Sequence, residues 1–272
     1  MEIGLLKLPP GPVVMGIINM TPDSFYDGGK LPTVEEAVAR GEQILREGAA
    51  IIDIGGESTR PGAEKVSVQQ ELDRVIPVIE ILSKRIAIPI SIDTSNPEVM
   101  HAAVQAGAKI INDVRALTKP GAMLTAAKLR VPVCLMHMQN DPDTMQIRPS
   151  YHDVVSEVLQ YLEQRIAACV AGGIDTKKII IDPGFGFGKN LQHNLSLLRS
   201  LSLFKNLHHP LLVGISNKSM IGQILDVGVE QRVAGSVAAA VIAVSKGADI
   251  IRAHDVRATV DALKVFSAVV NS

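Results

Sequence analysis

The side chains able to do chemistry in this sequence stand at the ends of short apolar runs. They are Asn19, Gly55-Gly56-Glu57, Asp93, Asn112-Asp113, His137, Asp182, Ser216-Asn217-Lys218 and Arg252-Ala253-His254-Asp255. Carboxylates and amides in such places are poorly explained as ordinary surface residues, because the runs they terminate belong inside a fold; they are expected to converge on one pocket. Asp93, Asn112 and Asp182 offer the acceptors and donors that suit a flat heterocycle presenting amino and ring N–H groups, and Lys218 can donate to a carbonyl on the same ring. Arg252 and His254 lie two residues apart, so an extended chain aims both the same way. That pairing suits an anion. With Asn19 across the same mouth they can hold a diphosphate, and one amide oxygen plus phosphate oxygens and waters is reasonable coordination for Mg2+.

Plainer readings stand beside these. Asp93, before Thr94 and Ser95, can equally cap the next helix. A single histidine is usually structural; the neighbouring Arg252 is what favours anion binding by His254, and His101, His152, His193, His208 and His209 have no comparable company. Asp182 opens DPGFGFGKN, whose proline and glycines let backbone approach a ligand closely. Gly184, Gly186 and Gly188 lack the third-glycine spacing of a dinucleotide fingerprint, and a phosphate loop would need glycine at Pro183 and serine or threonine at Asn190. Lys189 is then expected to be a solvated loop lysine.

Eight β-rich runs precede these polar endings: Val13 to Ile18, Ala50 to Ile54, Pro89 to Ile92, Lys109 to Ile111, Pro132 to Met136, Lys178 to Ile181, Leu211 to Ile215 and Ala248 to Ile251. Between them helical spacing recurs, as at Val34 to Glu47, Val68 to Arg85, Pro97 to Ala106, Val154 to Ala171 and Glu230 to Lys246. Alternation of this kind implies parallel strands. Eight βα units predict an α/β fold, a single (β/α)8 TIM barrel over residues 1–272 with long loops after strands 1 and 2, whose catalytic groups gather at the strands' C-terminal ends. Gly48, Gly107 and Gly247 are placed to end helices with positive φ. The 272 residues, 47% of them hydrophobic, are enough for one large core, and the net charge of −1 argues against a nucleic-acid partner. Cys134 and Cys169 have no metal-ligand spacing. No apolar run reaches the length of a membrane span, so a soluble cytoplasmic protein is expected.

The motifs also carry a family resemblance. NMTPDSFYDGG (Asn19 to Gly29), GGESTRPGAE (Gly55 to Glu64), SIDTSNPEV (Ser91 to Val99), INDV (Ile111 to Val114), DPGFGFGKN, GISNKSMIG (Gly214 to Gly222) and RAHDV (Arg252 to Val256) occur in this order. Over nearly its whole length the chain resembles dihydropteroate synthase, the sulfonamide target family of folate biosynthesis. The resemblance implies transfer of the pterin-methyl group of 6-hydroxymethyl-7,8-dihydropterin diphosphate to the amine of p-aminobenzoate, with Mg2+. It implies that Asp93, Asn112, Asp182 and Lys218 bind the pterin, and that Asn19, Arg60, Arg252 and His254 serve the diphosphate and its metal, Asn19 as metal ligand. Thr59, Pro61, Phe187, Lys218 and Ser219 would border the aminobenzoate. Asp27, on the first loop, would approach the reacting pterin and stabilise positive charge; by itself it reads as a turn residue beside Gly28 and Gly29. Asp27, Lys218, Arg252 and His254 form the catalytic set so implied.

Two positions depart from the family pattern: Asn217 stands where arginine is common, and Asn140 where glycine is common. Asparagine enters the left-handed backbone region more readily than most residues, so that turn can survive. The resemblance implies a homodimer; the small apolar segment Ala234 to Val244 fits a subunit interface, and a buried barrel helix explains it nearly as well. A pterin-binding methyltransferase domain of similar fold is the nearest alternative activity, but it lacks the paired loops; a nonenzymatic pterin- or phosphate-binding module is a different class of answer.

Overall fold

The computed structural model describes residues 1–21, 31–58, 63, 66–141, 145 and 148–270. A short antiparallel hairpin, β1 (Glu2–Ile3) and β2 (Leu6–Lys7), comes first. Eight parallel strands follow: β3 (Val13–Asn19), β4 (Ile51–Gly55), β5 (Ile90–Asp93), β6 (Ile110–Asp113), β7 (Val133–Met136), β8 (Ile179–Asp182), β9 (Leu212–Val213) and β10 (Ile250–Ala253). Their order is β8-β7-β6-β5-β4-β3-β10-β9. Ile181 bridges to Leu211, and its N–H donates to Pro210 O at 3.0 Å, joining β8 to β9 and closing the ring. All eight expected strands are present, and the barrel is the expected one.

The helices are α1 (Val34–Glu47), α2 (Val68–Arg85), α3 (Pro97–Ala106), α4 (Ala122–Leu129), α5 (Val154–Ala171), α6 (Leu191–Arg199), α7 (Ser219–Leu225), α8 (Val233–Ser245) and α9 (Val256–Val270). Local chemistry explains their starts: Thr33 with Glu36, and Ser67 with Gln70, form reciprocal capping boxes on α1 and α2. Gly48, Gly107 and Gly247 do take positive φ (97°, 124° and 99°) after α1, α3 and α8. Helix α8 begins three residues later than its periodicity predicts, because Val229–Gln231 winds as a 3-10 turn.

Two apolar layers result from the period-two alternation of the strands. Outward side chains such as Val14, Ile52, Ile92, Ile111, Val133, Ile181 and Ile251 pack against the helices. Inward ones, Met15, Ile51, Ile110, Cys134, Ile180, Leu212 and Ile250, form a separate cluster with Ile3 and Leu8 of the hairpin region. The hairpin thus plugs the N-terminal end of the barrel, pinned by Gly4 N–H to Lys177 O at 2.9 Å. Two residues further along four of these strands the same inward face turns polar: Ile51 gives way to Asp53, Ile110 to Asn112, Ile180 to Asp182 and Ile250 to Arg252. The apolar plug is therefore the floor of the site.

Candidate active site

Arg252 is the hub of that polar layer. Its Nε donates to Asp53 Oδ2 at 2.7 Å and its Nη2 to Asp93 Oδ2 at 3.0 Å. Asn112 Nδ2 reaches the same Asp53 oxygen at 3.1 Å. Asp53 is fully buried and its Oδ1 has no hydrogen-bond partner among the described residues. Asp93 therefore faces Arg252 instead of capping α3, whose N-cap residue, Asn96, makes no side-chain cap. Burial pushes the Asp93 carboxyl up to about 7, with Asp53 adding to the rise and Arg252 opposing it.

Asp182 lies across the barrel from this pair, and its Oδ1 accepts from Gly184 N–H at 2.7 Å. Burial raises its pKa to about 6 against the pull of that hydrogen bond and of Lys218. After Asp182 the chain folds into a tight loop with φ of 69° at Gly184, 80° at Gly186 and 61° at Gly188. A Cβ at Gly184 would lie 1.9 Å from His137 O, so only glycine fits. Phe185 turns into the core while Phe187 turns to the mouth, where Lys218 Nζ sits 4.1 Å from its ring centroid, a cation–π contact. Ser219 follows Lys218 as the exposed first residue of α7.

At the end of β10, Ser216 Oγ and His254 Nδ1 are 3.0 Å apart, and the His254 N–H donates to the same hydroxyl at 3.1 Å. Asn19, at the end of β3, points its Oδ1 toward Gly55, whose missing side chain leaves that amide oxygen and Asp93 Oδ2 on either side of one open point, 3.7 and 3.8 Å from an ideal Cβ. A hard cation fits such a donor set when it brings waters and substrate oxygens with it.

Not every polar strand ending joins the pocket. Asp113 turns away from Asn112 and ties the following loop, accepting from Arg115 N–H and Leu117 N–H at 2.8 Å each and from the Ser95 hydroxyl. His137 is buried and pairs with Lys189, which is only 3% exposed and not the solvated loop residue its sequence context predicts. Its ammonium is caged by backbone carbonyls, a tertiary arrangement invisible in a local motif. Asp53 is the reverse case, absent from the sequence-based set because it lies one residue inside the strand ending; the inward alternation after Ile51 is the signal that finds it. Asp27, Thr59, Arg60 and Pro61 lie outside the described residues.

Comparisons with known proteins place the chain in a family. The sequence model of the pterin-binding enzyme family matches residues 15–254. Escherichia coli K12 dihydropteroate synthase is 54% identical over 261 residues, covering 96% of this chain and 93% of that protein. The chain belongs to the dihydropteroate synthase family. Among solved structures, a Yersinia pestis dihydropteroate synthase with a sulfonamide drug complex is similar at a TM-score of 0.96 and 50% identity, covering 100% of this chain and 99% of that one. The Xanthomonas albilineans enzyme in complex with 7,8-dihydropteroate gives a TM-score of 0.88 and 52% identity, covering 97% and 95%.

Both departures from the family pattern take left-handed backbone, with φ of 61° at Asn140 and 57° at Asn217. At Asn217 the side-chain amide approaches Asp255 Oδ2 at 3.5 Å, and Arg232 Nη1 donates to the Asn217 carbonyl at 2.9 Å. A guanidinium thus still supports the segment before Lys218, delivered from the start of α8.

Proposed function

We propose that the barrel mouth joins 6-hydroxymethyl-7,8-dihydropterin diphosphate to p-aminobenzoate, giving 7,8-dihydropteroate and diphosphate. The observation that carries this reading is the polar layer over the Ile51, Ile110, Ile180 and Ile250 floor: two carboxylates with raised pKa, an amide and one guanidinium. Asp182 and Asp93 accept the pterin's amino and ring N–H groups, Asn112 completes the edge, and Lys218 donates to its carbonyl. Arg252 and His254, with Arg60, take the diphosphate. Asn19 would hold Mg2+ together with substrate oxygens, and the metal would supply further charge neutralisation at the leaving group.

An aryl amine is a modest nucleophile, so the C–O bond from the pterin methylene to diphosphate breaks first, its electron pair leaving on oxygen. The electron-rich pterin delocalises the cation that remains, and Asp27 is the carboxylate assigned to stabilise its charge. The aminobenzoate nitrogen, held among Thr59, Pro61, Phe187, Lys218 and Ser219, then forms the C–N bond and loses one proton. Exclusion of water from the site keeps the cation from being trapped as the alcohol.

This enzyme works in the cytoplasm as a homodimer. In support of a second copy, Ile224, Leu225, Val229, Val233, Ile242, Val265 and Val269 leave an apolar surface exposed on α7, α8, α9 and the turn before α8. No helix among the described residues is long and apolar enough to cross a membrane.

A coupled assay for diphosphate release, run with and without aminobenzoate, tests the activity. Release that needs aminobenzoate supports synthesis; binding of both substrates without turnover would mark a nonenzymatic binding module.

A further inference from the structure

Lys189 has no place in the chemistry above, yet its amine is among the most thoroughly enclosed groups in the molecule. Its Nζ lies 2.8 Å from Gly184 O, 2.9 Å from Phe187 O and 2.9 Å from His137 Nδ1. Burial lowers the Lys189 pKa to about 7, with Asp182 opposing the fall; in the ammonium form those contacts use its three protons. An ammonium can only donate, so His137 Nδ1 must accept, which leaves the ring neutral; burial and the nearby Lys189 charge keep the pKa of His137 down at about 2. The ring is held in turn edge-on against Tyr161, with centroids 4.9 Å apart.

The loop wrapped on this amine is the one that carries Phe187. Other ties complete it: Gly186 N–H donates to Asn194 Oδ1 at 2.8 Å, Tyr151 Oη to Gly188 O at 2.8 Å, and Phe187 N–H to Gly184 O at 3.2 Å. Carbonyls at 184 and 187 turned toward one buried cation hold the four-residue turn that spans them, and that turn sets the direction of the Phe187 ring toward Lys218. A side chain that fixes a wall to within a fraction of an ångström affects reactivity without touching substrate.

We propose that Lys189, braced by His137, is a positioning residue for the aminobenzoate subsite, acting through Phe187. The proposal rests on the reading of Phe187 as a wall of that subsite. It accounts for a lysine buried beneath a glycine-rich loop with no phosphate to hold: the loop binds its own ammonium.

Steady-state kinetics of Lys189→Met, Phe187→Leu and the double variant test it. Lys189→Met should raise the KM for aminobenzoate about tenfold and that for the pterin diphosphate less than about threefold. In the Phe187→Leu background the same change should raise the aminobenzoate KM only about twofold or less, because effects that share one route do not add. Lys189→Gln keeps two N–H donors and should sit between wild type and Lys189→Met; if Lys189→Met does not fold, Lys189→Gln carries the same cycle. Additive effects, equal rises in both KM values, or a lowered Tm with unchanged KM values would each overturn the positioning role while leaving the overall reaction standing. A Phe187→Leu enzyme with an unchanged aminobenzoate KM would instead remove the reading of Phe187, and the proposal with it.

Discussion

Arg252 Nε donates to Asp53 Oδ2 across 2.7 Å, joining a residue at the mouth to a carboxylate with no solvent exposure. The guanidinium offered to the diphosphate is therefore already aimed by the barrel interior, and the same Asp53 oxygen orients Asn112. Preorganised donors of this kind spare reorganisation when charge develops on the leaving group.

Arg252→Ala should then cost stability as well as diphosphate affinity, since it strands Asp53 and Asp93 without their cation; breaking a buried pair this way costs on the order of 3–5 kcal/mol. The cost should depend on pH. Asp93 has a folded pKa raised to about 7, so its contribution to stability is full below the ordinary carboxylate value of about 4, falls as pH rises from there, and is gone once pH has passed about 7. Without Arg252 its pKa climbs further, so the Tm deficit of the variant should be larger at pH 8.5 than at pH 6. Equal deficits would show that Asp93 is not sensing Arg252. His254→Ala removes a side chain whose Nδ1 lies 3.0 Å from Ser216 Oγ, and should weaken magnesium diphosphate binding more than it lowers Tm.

Asp182→Asn replaces a carboxylate with a group that can donate as well as accept. One amide N–H would face a donor of the pterin, and a mismatch of that sort costs ~1–3 kcal/mol. Titration calorimetry should show pterin affinity falling roughly tenfold to a hundredfold by that conversion, with magnesium diphosphate affinity nearly unchanged. An equal loss of both ligands would remove Asp182 from the pterin edge.

Most of the barrel was legible because the signals behind it are local and repeated. The ranges of α1, α2, α3 and α5 follow from hydrophobic spacing bounded by caps such as Thr33 and Ser67. The short helices α4, α6 and α7 have too few turns for a strong period, and the β1–β2 hairpin consists of two-residue strands that no periodicity can mark. In the site, Asp182 and Arg252 were readable as strand endings. Asp53 is findable from the inward alternation after Ile51, but its pairing with Arg252 joins strands two apart in the ring. Lys189 needed the folded carbonyls of Gly184 and Phe187 and the approach of His137; those tertiary contacts are not contained in a single-sequence reading.

Pterin binding should release protons. In the free enzyme burial holds Asp182 at about 6 and Asp93 at about 7. Ligand N–H donors favour the ionised carboxylates, so binding lowers both values and expels protons between pH 6 and 7; affinity accordingly rises with pH across that window and levels above it. Calorimetry in two buffers of different ionisation enthalpy checks the sign, and net uptake of protons would contradict it.

Gly184→Ala should destabilise far more than Gly11→Ala, although both glycines have positive φ, 69° and 81°. At Gly184 the added methyl meets His137 O at 1.9 Å, whereas nothing lies within 4 Å at Gly11. The exposed change should cost about 1 kcal/mol from backbone strain, and the buried one about 3 kcal/mol or more because backbone must move. Urea unfolding of the two variants decides it; equal losses would mean that the Asp182 loop is less rigid than its contacts imply.

The reaction proposed for this barrel builds a C–N bond between a pterin methylene and an aryl amine. Mass spectrometry of the product formed from 6-hydroxymethyl-7,8-dihydropterin diphosphate and 15N-labelled p-aminobenzoate tests it most directly. The expected product is 7,8-dihydropteroate carrying the label, with one diphosphate released for each product and strongly reduced formation by Asp182→Asn. Diphosphate released with only hydroxymethyl-dihydropterin as co-product, or no release at all with both substrates and Mg2+ present, would contradict it.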